Sequence, residues 1–240
     1  TRVSERLRHK KRACQIWDYE RMVMSRFPGI FKAKALAHTD PSSFRATGAT
    51  TLIVVNDLQG LDASNPFMPR VSRAELEEIQ TYLSAYVSPF AKLYVENPVY
   101  ETLVVDAKIG FRTGFDPGFY SNLLNEELKA FLSPWAFDTG VDIVIGGKIY
   151  KSSILQFIET REYVDFVVDI RLYHNYQGTN KTGTIGQTCI GVDFVIGRTQ
   201  TPGIGGLTIG QNFIIGKDQE LATASTPKSI LVSSTNHKIT

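Results

Sequence analysis

The chain has almost no cysteine: Cys14 and Cys189 are the only two in 240 residues. They give no metal-ligand spacing and no disulfide framework, which suits a reducing compartment. His9, His38, His174 and His237 are the only histidines, scattered with no HxxxH or Cys/His pairing, so no metal site is expected. No run of eighteen or more apolar residues occurs, so neither a membrane helix nor membrane insertion is expected, and no signal peptide is visible. Nucleophilic catalysis needs a nucleophile, a base and an orienting group, and neither cysteine neighbours a candidate base. Ser152-Ser153 read as helix caps, and Glu77-Glu78 and Glu126-Glu127 as solvent-facing helix residues. GIGGLTIG at 203–210 is not placed between a strand and a helix, and IGGKIYKS at 145–152 does not fit a phosphate-binding loop. No catalytic set and no cofactor are expected.

What is present is a globular composition, 42% hydrophobic and 21% charged, in a chain long enough to bury a sizeable core. The net charge of +2 hides an asymmetry: Arg2, Arg6, Arg8, Lys10, Lys11 and Arg12 crowd the first twelve residues against Glu5 alone. This end could neutralise phosphates of a nucleic acid, form a solvated helix face, or dock an acidic protein partner. It has no aromatic interleaving and no recognition motif, so nucleic acid is not expected as the partner. The chain opens on Thr1 and runs straight into this charged segment. That leads to the expectation of a fragment or processed product, with an amino-terminal part missing.

The fold class expected is α+β: two small sheet-plus-helices units in tandem, followed by a Gly-rich β-arm. The first unit, residues 1–97, begins with a polar helix over 3–13. A second helix is expected with Asp18 as N-cap, running to about Arg26, Trp17 and Met22 having the spacing of a hydrophobic staple. Phe31, Ala33, Ala35 and Ala37 alternate as a strand, and TLIVV at 51–55 reads as a strand buried on both faces. Ser72 and Glu75 have capping-box spacing before a helix presenting Leu76, Ile79 and Leu83. A short strand over 91–95 closes the unit.

Asn97-Pro98 marks the boundary to the second unit, residues 98–174. Leu103, Val105, Ala107, Ile109 and Phe111 alternate with more polar neighbours, the pattern of a strand with one buried face. The most informative stretch follows, TGFDPGFYSNLLNEELKAFLSPWAF at 113–137. Asp116 can cap a helix and Pro117 can open it. Tyr120, Leu124, Leu128, Phe131 and Leu132 form its apolar face, and Ser133-Pro134 stops it. Trp135 and Phe137, directly after the stop, are candidates for core plugs or for interface anchors. An extended stretch over 142–149 turns at Gly146-Gly147, Ser153 and Gln156 cap a short helix, and Val164, Phe166, Val168, Ile170 and Leu172 define a further strand. Residues 175–240 contain the β-arm and a terminal strand near 229–234. Ten of the nineteen glycines and only three charged residues fall in 175–216. That is too apolar for a solvated linker and suits a segment folded onto the body or paired with another subunit.

The chain also resembles a known family over most of its length. GFDPGFY at 114–120, LNEEL at 124–128, FLSPWAF at 131–137, GGKIYKS at 146–152 and YVDFVVDIRLY at 163–173 look like the carboxy-terminal part of baseplate J-like proteins. RVSERLRHKKRACQIWDYERMVMSRFPGIFKAKALAHTD at 2–40, NPFMPR at 65–70 and STPKSILVSSTNHKI at 225–239 are similar to other parts of that family. The Gly-rich stretch at 175–216 departs from its pattern. The resemblance implies a non-enzymatic wedge component of a phage-tail-like contractile injection system, assembled in the cytoplasm into a tail-like particle, released or membrane-attached. Its implied partners are other wedge subunits (a second copy or a paralogue), the sheath-initiating subunit and the central hub or spike. The candidate interface residues are Arg6, Arg8, Lys10, Lys11, Arg12, Trp135 and Phe137. The rival readings are a nucleic-acid-binding α+β module using the basic end, and an enzyme whose active site forms at a subunit interface.

Overall fold

A computed structural model describes residues 12–57, 65–138, 140–175 and 220–239. The fold is α+β, and compactness divides it into two units. The first comprises Thr1–Val99, Trp135–Gly146 and Thr226–Ile230; the second comprises Tyr100–Pro134, Gly147–Ser225 and Leu231–Thr240. The expected helix over 3–13 and the expected arm over 175–216 lie almost wholly outside the described residues, and Arg12 and Ala13 are not helical.

In the first unit, β1 (Ile30–Ala37) pairs antiparallel with β2 (Ala49–Asn56), which pairs parallel with β3 (Lys92–Glu96). Helices α1 (Ile16–Arg26) and α2 (Arg73–Ser84) supply the rest of its core. Thr51 through Val55 are all buried, as a central strand composed of β-branched and aliphatic residues should be. Ala33 and Ala35 face inward with Met22, Val23, Ile79 and Leu83 in one apolar cluster. The alternation slips at the strand ends: Ile30 is buried, Ala37 is exposed, and the register shifts between Ile30 and Lys32.

Two first-unit expectations meet different outcomes. Ser72 caps α2, its Oγ accepting the Glu75 N–H at 3.3 Å. Asp18 is not the N-cap of α1. The N-cap lies three residues earlier, at Gln15, and Asp18 reaches back so that its Oδ2 accepts the N–H groups of Cys14 (3.1 Å) and Gln15 (2.9 Å). An aspartate in the first turn serves the positive helix end as well as a cap does, and Trp17 is therefore inside the helix, so the staple pairing with Met22 does not arise.

In the second unit, β4 (Val99–Phe111) is central, between β6 (Val164–Asn175) and β8 (Ser229–Ser233). β6 runs antiparallel to β4, and the two-residue β9 (Lys238–Ile239) pairs with it parallel. A separate two-stranded ribbon joins β5 (Lys148–Tyr150) to β7 (Leu221–Thr223). Leu103, Val105, Ala107 and Ile109 are buried in one cluster with Leu124, Leu128 and Leu132 of α3 (Pro117–Leu132) and Ile154 and Ile158 of α4 (Lys151–Glu159). Burying each of the leucine, isoleucine and valine side chains among them contributes roughly 1.5–3 kcal/mol. The Asp116 cap forms, its Oδ2 accepting the Phe119 N–H at 3.2 Å, and α3 ends at Ser133.

Two expectations fail in this unit. Ser153 does not cap α4; the helix begins after Tyr150, which leaves Ser152 and Ser153 exposed in its first turn. Phe166 and Val168 do not join the buried face of β6 but are 56% and 69% exposed. Register shifts opposite Lys108/Ile109 and Gly110/Phe111 insert Val168 and Asp165 as extra residues, so Ile109 faces Val167 and Phe111 faces Val164. Each added residue reverses which side chains point inward.

Candidate assembly surface

Pro134–Ala136 forms a single 3-10 turn after α3, and this turn fixes the two aromatics that follow the helix stop. Trp135 is buried, and its indole Nε1–H has no acceptor among the described residues. Phe137, two residues on, is 55% exposed and meets Phe67 edge to face, with ring centroids 5.8 Å apart. The two residues, grouped together in the sequence, thus have different surroundings: one is core and the other is surface. Downstream, Lys32 Nζ donates to Asp142 Oδ2 and to the Ile143 carbonyl, both at 2.6 Å, and Lys34 Nζ donates to the Ile145 carbonyl at 2.7 Å. Burial pushes the Lys34 amine below the ordinary lysine range, with Lys32 adding to the effect. The segment after Phe137 is therefore strapped to β1 by two lysines.

Of the basic candidates, Arg12 is exposed, and Arg6, Arg8, Lys10 and Lys11 lie outside the described residues. Exposed apolar side chains that the sequence reading did not single out include Phe90, 92% exposed, Val144, Phe119 and Tyr150. Phe90 follows Ser88-Pro89, a turn signal that could have placed it at the surface. The exposure of Phe166 could not have been found, because it follows from register.

The one Ser–His pairing among the described hydrogen bonds is structural. His237 Nδ1 accepts the Val105 N–H at 3.2 Å, so its proton is on Nε2, which donates to Ser233 Oγ at 2.9 Å. The Ser233 hydroxyl then donates to the Ser234 carbonyl at 3.0 Å. A general base would accept from the serine, the opposite direction. Burial, with Lys129 adding repulsion, pushes the imidazole down to about 4. The Ser233 N–H meets Ser133 Oγ at 2.8 Å and the His237 N–H meets Asn125 Oδ1 at 3.2 Å. This network fastens the carboxy-terminal segment to β4 and α3. No group of three or more His, Cys, Asp or Glu among the described residues is placed to hold a metal ion. No helix among them is long and apolar enough to cross a membrane.

A family model described as baseplate protein PVC11-like matches residues 1–193. The chain belongs to the PVC11-like family of baseplate proteins. The matched stretch of this PVC11-like chain includes the four helices among the described residues, β1 to β6, and both Trp135 and Phe137. Among solved structures, a chain of the anti-feeding prophage (AFP) baseplate, determined by cryo-electron microscopy and 6-fold symmetrised, shares the fold with a TM-score of 0.61 at 18% identity. The likeness covers 97% of this chain and 40% of that one, so the PVC11-like chain spans well under half the length of the structure it matches. No curated protein matches. In a baseplate protein, the surface aromatics and the segments that fix them are the features of interest, since assembly depends on what neighbouring subunits can bury.

Proposed function

We propose that this chain is the carboxy-terminal region of a wedge subunit in the baseplate of a phage-tail-like contractile injection system. It acts by docking and by rearranging contacts, without covalent chemistry. Its neighbours are other wedge subunits, as a second copy or a paralogue, together with the sheath-initiating subunit and the central hub. Assembly takes place in the cytoplasm, and the chain becomes part of the tail-like particle. The observation that carries this reading is the baseplate family match over residues 1–193, and the motifs at 114–120, 131–137 and 163–173 favour the wedge assignment in particular. A baseplate needs rigid small domains offering large interfaces, and two small α+β units with separate cores meet that need.

The test is sedimentation of lysate from the native source, probing for the full-length protein. Recovery in a megadalton, tube-bearing particle is the expected result. Recovery only in small soluble fractions, with the other gene products present, would overturn the wedge assignment. Within this reading Phe137 is an interface anchor and Trp135 a core plug. Phe137→Ser is expected to cut incorporation into particles several-fold while leaving the unfolding midpoint unchanged. Trp135→Ala is expected to cost about 3–5 kcal/mol of stability, as truncating a large buried aromatic does, measured by urea denaturation.

A further inference from the structure

Three loops meet at one end of the first unit's sheet. Residues 38–48 join the end of β1 to the start of β2. Lys92 opens β3 in register with Ala49, and its N–H donates to the Gly48 carbonyl at 2.9 Å, so the turn before β3 lies beside that loop. The entry to α1 reaches the same end. The Ala13 N–H donates to the Tyr86 carbonyl at 3.0 Å, and Glu20 Oε1 accepts the Ala35 N–H at 3.0 Å near the end of β1.

What these loops present is unusual. Phe90 stands almost wholly in water on a turn, where glycine, asparagine or serine is ordinary. That turn is fixed by Pro89, which restrains the backbone, and by the Ser88 carbonyl, which accepts the Ala91 N–H at 3.0 Å. Phe44 and Ile16 are exposed at the same end. One exposed apolar side chain is normal, but three on adjoining loops gain nothing from the folding of this chain and mark a surface that something else buries. Charge adds a sign. Across residues 12–16, 38–48 and 85–92 there are Arg12, Arg45 and Lys92 against Asp40 alone. All three cations are exposed, and none has a carboxylate at ion-pair distance among the described residues. Asp40 commits its Oδ1 to the N–H groups of Ser42 (2.7 Å) and Ser43 (2.6 Å) and to the Ser42 hydroxyl (2.8 Å). We propose that this end of the first unit is a second docking surface, and that it receives an acidic segment of a neighbouring baseplate subunit. Phe90 is the buried anchor, and Arg45 and Lys92 pair with the partner's carboxylates, giving specificity more than raw affinity. A nucleic acid fits less well, because the Phe44 ring is met by the Lys228 ammonium, 5.9 Å from its centroid, where a base would stack. The inference rests on the assembly role proposed above.

The test uses the full-length protein in particles from the native source. Phe90→Ser, and separately Arg45→Glu with Lys92→Glu, are expected to cut incorporation about tenfold, the loss that an interface hot spot carries, with the unfolding midpoint unchanged. Phe90→Leu is expected to retain most of the incorporation. Arg45→Gln with Lys92→Gln is expected to lower it about threefold, which keeps the test in force should the charge-reversed pair not fold. A photoreactive phenylalanine analogue at position 90, activated in purified particles, is expected to cross-link to another subunit within a few residues of an Asp or Glu. Full incorporation of Phe90→Ser or of both charge variants, or cross-links that stay within the same chain or reach nucleic acid, would overturn the proposal and leave the assembly role standing. Absence of the unaltered chain from the particles would overturn both.

Discussion

At the scale of single residues, two positions have consequences that depend on a few atoms. His237 is buried as the neutral ring, with its proton-free nitrogen already occupied by a backbone N–H. Its affinity for a proton is lower in the folded chain than in the unfolded one, so the unfolded state binds more protons as the pH falls. The contribution is complete above the ordinary histidine value near 6.5 and is lost as the pH falls towards about 4. The total at stake is about 3 kcal/mol. Urea titrations at pH 7.5, 6, 5 and 4.5 are expected to show this slope, and His237→Gln to flatten it. Gly110 is the second position. A Cβ there would come within 2.5 Å of the Phe166 ring, which lies across it. Gly110→Ala is expected to push the half-exposed Phe166 ring off its rotamer, at a cost of about 0.5–1.5 kcal/mol. Phe166→Ala, added to it, should restore part of the loss, because it removes the atom the methyl group meets.

The same contrast between local and distant causes governs the elements. Both ends of α3 were legible because the chemistry that sets them is adjacent in sequence: Asp116 binds an N–H three residues on, and proline follows the last turn. Asp116→Ala is accordingly expected to cost about 1 kcal/mol, visible as a shift in denaturation midpoint without a change in slope. The start of α1 was less legible because Asp18 satisfies the helix end from inside, a role that its identity alone does not distinguish from a cap. The interior of β6 was not legible. Its alternation of Val164, Phe166, Val168, Ile170 and Leu172 is perfect in sequence, yet the register against β4 skips Val168 and Asp165, and pairing register is not written in one strand alone. Of the candidate interface, what was readable is that Trp135 and Phe137 directly follow a helix stop. Their separation into buried and exposed was not, since Phe67 and the lysine straps come from far along the chain.

For the whole molecule, the decisive feature is that neither unit is one continuous stretch. A division into consecutive segments has no means of expressing the return of Trp135–Gly146 and Thr226–Ile230 to the first unit. Residues 12–99 made alone would keep the apolar cluster of α1, α2 and β1 to β3 but lose the partners of Lys32 and Lys34. Lys34, whose amine is partly withdrawn from water, would be left without the Ile145 carbonyl. That piece is expected to unfold at a lower temperature than the first unit does in the full chain, as read by calorimetry. Adding a separate 135–146 peptide should raise its midpoint in a concentration-dependent way.

The chain passes between the units five times. Related genes that recombine at a single point between residues 35 and 141 would therefore hand each offspring a first unit assembled from two ancestors. Lys32 and Lys34 would come from one parent and the carbonyls they grip from the other. Inheritance of the region as an undivided block is the pattern this wiring favours, and chimeras built with one junction should be poorer than those that exchange the region entire.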